Sequence, residues 1–479
     1  MLSLALAIVL IPFVGAAIAG ISPLAWSRWI AQAFSFAAIV ATTVLACVFS
    51  NAGKAAVSVD LVTIGNAVVM GVIIDRISVL VALAVVGLGF LMCVYSVPYL
   101  SPHNREHPDN GRQSYFAWLL VFLGTVGGLV FSSTLVGQLL FFEMTGVCSW
   151  ALIGYYGDPK SLHSGAKAML LEHIGSFGLY IAAGALFAAT GTFAVSAMGN
   201  LDGTMKRLVL LAILFAGWAK SAQLPLHEWL PDAMSAPTPI SAYLHAAALV
   251  KVGVYIFARA LFAAGAVPEV VGWVGTVMAI ATMVYGFLLY LPQKDMKRLL
   301  AYSTITQVAN IFLGLSLSVF GSQLAFNGAI AHIFNHAFAK SLFFLVAGAL
   351  AYTAGTRQLP VLRGILTRAP LLGISFCVAA LAVAGVPPFS GFFSKFAIFA
   401  GGFEVALSHQ LLWPFLILGL AESVGTFAWF LHWAGYSVLG KPSPVVAASS
   451  PVPIAMQAVL LVLIVMTLWS GELAASWLG

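Results

Sequence analysis

Residues 207–233 read RLVLLAILFAGWAKSAQLPLHEWLPDA. The stretch begins as an apolar helix, carries Lys220 in its interior, and then meets Pro225 and Pro231. Proline removes a backbone donor and clashes with the preceding turn, so no helix runs through this segment unbroken. A second overlong apolar span carries the same kind of interruption at residues 385–393, GVPPFSGFF. Within a bilayer, backbone freed by such a break is tolerated only where it is buried in protein or lines a wet cavity. The two breaks therefore mark where function is expected.

The rest of the chain has a membrane composition. Of 479 residues, 61% are hydrophobic and 8% charged, where soluble domains carry about 25% charged residues. Apolar runs long enough to cross about 30 Å of hydrocarbon as a helix recur throughout. They predict an all-α polytopic membrane protein of fourteen transmembrane helices, at 2–20, 29–50, 72–97, 115–133, 134–156, 168–189, 207–233, 238–262, 270–291, 297–319, 322–352, 371–403, 411–434 and 453–476. The first run lacks the basic flank and cleavage site of a signal peptide and reads as a retained span. Loops after odd-numbered helices hold twelve Lys and Arg, including Lys160, Lys167, Lys297 and Arg363, against three (Lys54, Lys206 and Arg207) after even-numbered ones. The positive-inside rule then puts both termini on the periplasmic side of a bacterial inner membrane.

Helices 7 and 12 are the discontinuous pair, five helices apart. They occupy equivalent places in two five-helix units, helices 4–8 (115–265) and 9–13 (266–435), flanked by helices 1–3 (1–114) and helix 14 (436–479). An odd number of helices per unit forces the units into opposite orientations, the layout of an inverted-repeat transporter with its site at the broken helices.

Six basic residues fall within spans: Arg76, Lys220, Lys251, Arg259, Lys340 and Lys395. A charge at the centre of a helix costs about 2.5–3.5 kcal/mol even on the mildest insertion scale, so each needs a reason. Arg76 and Arg259 are expected to snorkel or to pair with a neighbour. Lys220 follows about 18 Å of apolar helix, Lys251 and Lys340 are similarly deep, and Lys395 sits just past the second break. A buried ammonium loses hydration and exchanges its proton more readily, which suits a relay. Glu143, in QLLFFEMTGVCSW, is a mid-membrane carboxylate expected to pair with Lys220. Glu172, His173 and Glu422 offer less context and are second-rank candidates. In HIFNHAFAK, His332, His336 and Lys340 recur every four residues on one helix face, rising about 12 Å over the series. Histidine titrates near physiological pH, so this stripe reads as a proton path. His245 is expected to link the two halves.

The four cysteines never approach CxxC or CxxCH spacing, no glutamate completes an HExxH, and no GxxxxGK[ST] or GxSxG is present. No cofactor, metal or catalytic centre is expected, and redox chemistry would lie in other subunits. A formal charge of +6 follows membrane topology rather than nucleic-acid binding.

Four stretches, AKSAQLPLHEWLPDAMSAPTPISAYLHAAALVKVGVYI, DMKRLLAYSTITQ, HIFNHAFAKSLFFLVAGAL and GVPPFSGFFSK, resemble the proton-conducting membrane transporter family. That family comprises antiporter-like subunits of complex I, Mrp sodium/proton antiporter subunits and membrane subunits of energy-converting hydrogenases. The length, the NREHP loop and SYFAWLLVFLG look most like the D-type members of hydrogenase 4, of formate hydrogenlyase class. The resemblance implies two inverted half-channels and a proton-transfer set of Glu143, Lys220, His245, Lys251, His332, His336, Lys340 and Lys395. It also implies partners: other antiporter-like and membrane-anchor subunits, with peripheral nickel–iron hydrogenase and iron–sulfur subunits on the cytoplasmic side. The long lateral helix of the distal complex I subunit is missing after helix 14, so a counterpart of that subunit is not expected.

Overall fold

The computed structural model describes residues 1–108 and 111–479. Among these, twelve helices are long and apolar enough to cross a membrane by length and composition, and two broken helices bring the total to fourteen. Helices 1 to 6 are Leu2–Ile21, Leu24–Asn51, Arg76–Tyr99, Gln113–Val130, Leu135–Ile153 and Pro159–Thr190. Helix 7 runs over Gly203–Lys220 and, after the break, Trp229–Asp232. Helices 8 to 11 are Thr238–Ala264, Glu269–Tyr290, Met296–Ser318 and Gln323–Ala354. Helix 12 is split into Pro370–Ala384 and Ser390–Ala406, and helices 13 and 14 are Trp413–Val438 and Ile454–Leu478. Helices 8, 10 and 11 are almost wholly buried, whereas 1, 2, 13 and 14 turn most of their surface outward.

Local sequence explains the boundaries. Asp158 accepts the backbone N–H groups of Lys160 and Ser161 at 3.0 and 3.1 Å, with Pro159 in the first turn, so helix 6 begins well before the expected residue 168. Asp202, Asp295 and Ser322 cap helices 7, 10 and 11 in the same way. Both interruptions are where the prolines put them. Helix 7 stops at Lys220 ahead of a cis Leu224–Pro225 bond, and helix 12 stops at Gly385, whose φ of 82° is left-handed, ahead of a cis Pro387–Pro388 bond.

The all-helical expectation misses one element. Strands β1 (Val57–Ile64) and β2 (Ala67–Ile74) form an antiparallel hairpin around Gly65 and Asn66. Helix 3 consequently starts at Arg76 rather than 72. The alternating VSVDLVTI followed by Gly-Asn is a hairpin signal at sequence level.

Two residues assigned to loops are buried caps instead. Lys206 donates to Ala264 O at 2.9 Å, at the end of helix 8, and Lys297 donates to Met234 O and Ala236 O at 2.8 and 2.7 Å. Such carbonyls have no intrahelical donor, so an ammonium there is well used. Setting one aside on each side leaves the basic bias at eleven against two. Lys160 and Lys167 likewise lie on helix 6.

Between helices in hydrocarbon, close approach and interhelical hydrogen bonds replace the hydrophobic drive. Helices 7 and 8 meet at Gly217 and Gly253, where a methyl group on Gly253 would lie 2.2 Å from Gly217 O. Ser221 adds a bond to Val250 O at 2.8 Å. This contact brings the break after Lys220 against the helix carrying Lys251.

Candidate functional site

Helices 5, 6 and 7 build the first cluster. Lys220 ends the first segment of helix 7, and its Nζ lies 2.6 Å from Glu172 Oε2, both side chains being 1% exposed. Ser149 donates to both carboxylate oxygens of Glu172 at 3.2 and 3.4 Å, and Lys220 also donates to Phe142 O at 3.1 Å. The ammonium sits 4.5 Å from the centre of the Phe142 ring, a cation–π contact. The pair is thus desolvated but hydrogen-bonded on both sides, the condition under which a buried ion pair is sustained.

The expected Glu143–Lys220 pair is not made. Glu143 lies on the outer side of helix 5, and its Oε2 bonds His173 Nδ1 at 2.8 Å. Helix geometry decides between the two carboxylates. Glu172 faces inward toward helix 7, whereas His173, one residue on, is turned about 100° outward to meet Glu143.

Helices 8 and 11 build the second cluster. Lys251 Nζ and His336 Nδ1 are 2.9 Å apart, both fully buried. Such a contact requires that one nitrogen donate and the other accept, so the pair holds a proton between them and cannot hold a full complement on both. One turn away, His332 Nδ1 bonds Ser394 Oγ at 2.8 Å, and the two imidazole rings are 5.7 Å apart. Lys340 donates to Ser303 Oγ at 2.8 Å and Leu300 O at 3.2 Å on helix 10. The stripe of His332, His336 and Lys340 therefore shares one face, and each member meets a different neighbour.

His245 sits in a π-turn, Tyr243–Ala247, against the Phe344 ring of helix 11 at 4.9 Å. Neither ring nitrogen has a hydrogen-bond partner among the described residues. The side-chain hydrogen bond from helix 8 to helix 11 here is made by Lys251. Lys395 donates to Val383 O at 3.3 Å, a carbonyl freed by the break in helix 12. Glu422 of helix 13 is the carboxylate within electrostatic reach of Lys395, and it accepts from Thr426 Oγ1 at 2.6 Å.

Sequence reading ranked Glu172, His173 and Glu422 second, yet Glu172 and His173 supply the partners of Lys220 and Glu143, and Glu422 lies within electrostatic reach of Lys395. It did not single out Ser149, Ser303 or Ser394, hydroxyls that have no sequence signature in an apolar helix. The remaining buried arginine in a span, Arg259, pairs with Asp75, which also caps helix 3 by accepting from Ser78 N at 2.8 Å. Arg76 donates to Leu478 O at 3.3 Å, so both arginines pair as expected.

The chain as a whole is similar to known proteins. Residues 132–423 match the family described as NADH:quinone oxidoreductase/Mrp antiporter, transmembrane. The chain belongs to this family. It is a multi-pass membrane protein. It is 34% identical over 397 residues to a Na(+)/H(+) antiporter subunit of Alkalihalophilus pseudofirmus, covering 78% of this chain and 48% of that protein. It is 32% identical over 388 residues to NAD(P)H-quinone oxidoreductase chain 5 of a Picosynechococcus species, covering 76% and 53%. The chain spans about half the length of these curated relatives. Among solved structures, the Mrp complex of Dietzia sp. superimposes with a TM-score of 0.84 at 28% identity, over 99% of this chain and 51% of that one. The membrane-bound sulfane sulfur reductase, an archaeal respiratory complex, gives the same TM-score of 0.84 at 23% identity over 99% and 96%, a likeness of fold.

Proposed function

We propose that the chain is a proton-translocating, antiporter-like membrane subunit of a multi-subunit energy-coupling complex. Residues 115–265 and 266–435 act as its two half-channels in a bacterial inner membrane, with both termini periplasmic. The observation that carries this reading is the Lys251–His336 hydrogen bond of 2.9 Å, which joins a titratable group of one half to a titratable group of the other. Protons would pass through Glu143, Lys220, His245, Lys251, His332, His336, Lys340 and Lys395, ionisable side chains set within the membrane-spanning helices.

The complex we favour is an energy-converting nickel–iron hydrogenase of formate hydrogenlyase type, with iron–sulfur and hydrogenase subunits on the cytoplasmic side. The NREHP loop and the SYFAWLLVFLG stretch support it. The second reading, an Mrp-type sodium/proton antiporter subunit, is supported by the 34% identity to a Na(+)/H(+) antiporter subunit. Affinity purification of the intact complex separates them, because a hydrogenase arm supports the first reading and other Mrp-type subunits the second. Proton uptake into vesicles containing that complex tests the reading common to both. An assembled complex that moves no protons and no sodium would overturn it.

A further inference from the structure

Helices 12 and 14 pack against each other, and both begin on the face that the basic bias assigns to the cytoplasm. Between their first turns lies a cavity of about 210 Å³, lined by residues 368–372 on one side and by residues 449–452 with Gln457 on the other, none of them acidic. Arg368 reaches from helix 12 to the loop that leads into helix 14. Its Nε donates to Ala447 O at 3.3 Å and one Nη to Ser449 O at 3.0 Å, while the other Nη has no acceptor among the described residues. Arg105 holds the carbonyl in between, Ala448 O, at 2.8 Å. Two exposed guanidinium groups therefore gather over one short loop. Neither helix has a side-chain cap, Ala369 and Pro453 standing where Asp158, Asp202 and Asp295 serve helices 6, 7 and 10, so no carboxylate offsets the positive ends of the two helices. The outward surface beside and below the cavity is apolar. Ile374 of helix 12 is 49% exposed, and Ile454 and Leu461 of helix 14 are 84% and 53% exposed.

We propose that this cavity holds the phosphate of an anionic phospholipid whose acyl chains lie along the outer faces of helices 12 and 14. Size and charge both select this occupant. The cavity is smaller than the roughly 300 Å³ at which pockets for whole drug-sized ligands begin, so it takes a phosphate group and leaves the chains outside, against Ile374 and Leu461. The free Nη of Arg368 supplies a charge-assisted hydrogen bond to a phosphate oxygen. Basic pockets between spanning helices on the cytoplasmic side are where anionic headgroups collect. A zwitterionic lipid is disfavoured, because it brings an ammonium against the same two guanidinium groups. The bound lipid ties the first segment of the broken helix 12 to helix 14. This site goes beyond the transport function proposed above and does not depend on it; only the choice of leaflet follows from the proposed orientation.

Photo-crosslinking tests the site. The intact complex is reconstituted in phosphatidylcholine bilayers with a trace of phosphatidylglycerol or of phosphatidylcholine, each carrying a diazirine at the glycerol end of one acyl chain, and the crosslinked peptides are mapped after illumination. The phosphatidylglycerol probe should mark the first turns of helices 12 and 14 about tenfold more than the phosphatidylcholine probe, the discrimination expected of one charge-assisted hydrogen bond. Arg368→Gln should lose that excess. Because Arg368 also holds the loop before helix 14, Ala369→Asp is the decisive variant. It supplies the missing cap and so favours folding, yet it puts a carboxylate at the cavity and should lose the excess as well. Equal marking by the two probes, or an excess that persists in Ala369→Asp, overturns the site. Displacement of the phosphatidylglycerol probe by inorganic phosphate overturns the lipid as occupant in favour of a free anion, and absence of marking on both helices overturns it in favour of another subunit covering this face.

Discussion

Lys251 on helix 8 and His336 on helix 11 are joined by a 2.9 Å hydrogen bond between two buried titratable side chains. Lysine and histidine repel when both are charged, so the bond fixes their total at one shared proton or fewer. A group that must give up its proton when its neighbour gains one is suited to passing protons onward.

Lys251→Met should therefore reduce proton uptake about a hundredfold without loss of assembly. The more telling variant is Lys251→Arg, which keeps the positive charge but cannot be deprotonated. Uptake by assembled Lys251→Arg complex at the native rate would mean that the residue supplies only charge.

The Lys220–Glu172 pair makes a prediction about stability. Because both side chains are 1% exposed, Glu172→Gln strands a buried ammonium and should destabilise the protein by about 3–5 kcal/mol. Glu143→Gln acts on a partly exposed pair and should cost less than about 1 kcal/mol. Thermal unfolding of the purified complex compares them, and equal losses would mean that Lys220 is shared between the two carboxylates in the resting state.

Lys395 and Glu422 lie within reach of each other behind the second break. Lys395→Glu puts two carboxylates within electrostatic reach of each other and should abolish uptake, whereas Lys395→Glu with Glu422→Lys brings back one cation and one anion behind the break. Failure of the double variant to assemble would identify Lys395 as a cap on Val383 O, which a carboxylate cannot replace, and send the proton out by another residue.

Arg259 and Asp75 form a buried bridge at the start of helix 3. Arg259→Met should lower thermal stability by about 3–5 kcal/mol and leave uptake per assembled complex unchanged. A transport defect in complex that assembles fully would place this pair on the proton path.

Topology is testable with reporters inserted in single loops. An insertion at Lys441 should report a cytoplasmic location and one at Asp202 a periplasmic one, following the basic bias of eleven against two. The reverse pair of locations would invert the orientation proposed here.

The sequence alone determined the membrane class, the number of spans and both breaks, because hydropathy and proline act locally and need no knowledge of neighbours. It also located Lys220, Lys251, Lys340, Lys395 and the helix 11 stripe, since a charge in an apolar run is conspicuous wherever the helix is packed, but it left the buried Lys206 and Lys297 in loops. The Gly65-Asn66 hairpin was legible too, and went unread. What failed was pairing. A start for helix 6 at 168 put Glu172 four residues from its end, where a carboxylate needs no partner. Pro159 and its cap at Asp158 place the same residue thirteen positions inside the helix, where it must have one. Which carboxylate Lys220 takes, that Lys251 rather than His245 makes the bond across to helix 11, and that Ser303 and Ser394 complete the partners of Lys340 and His332 were decided only by tertiary structure. Those contacts depend on how helices are rotated about their axes and on glycine contacts such as Gly217 with Gly253. An apolar span whose every face is hydrophobic carries too weak a periodic signal to fix that rotation.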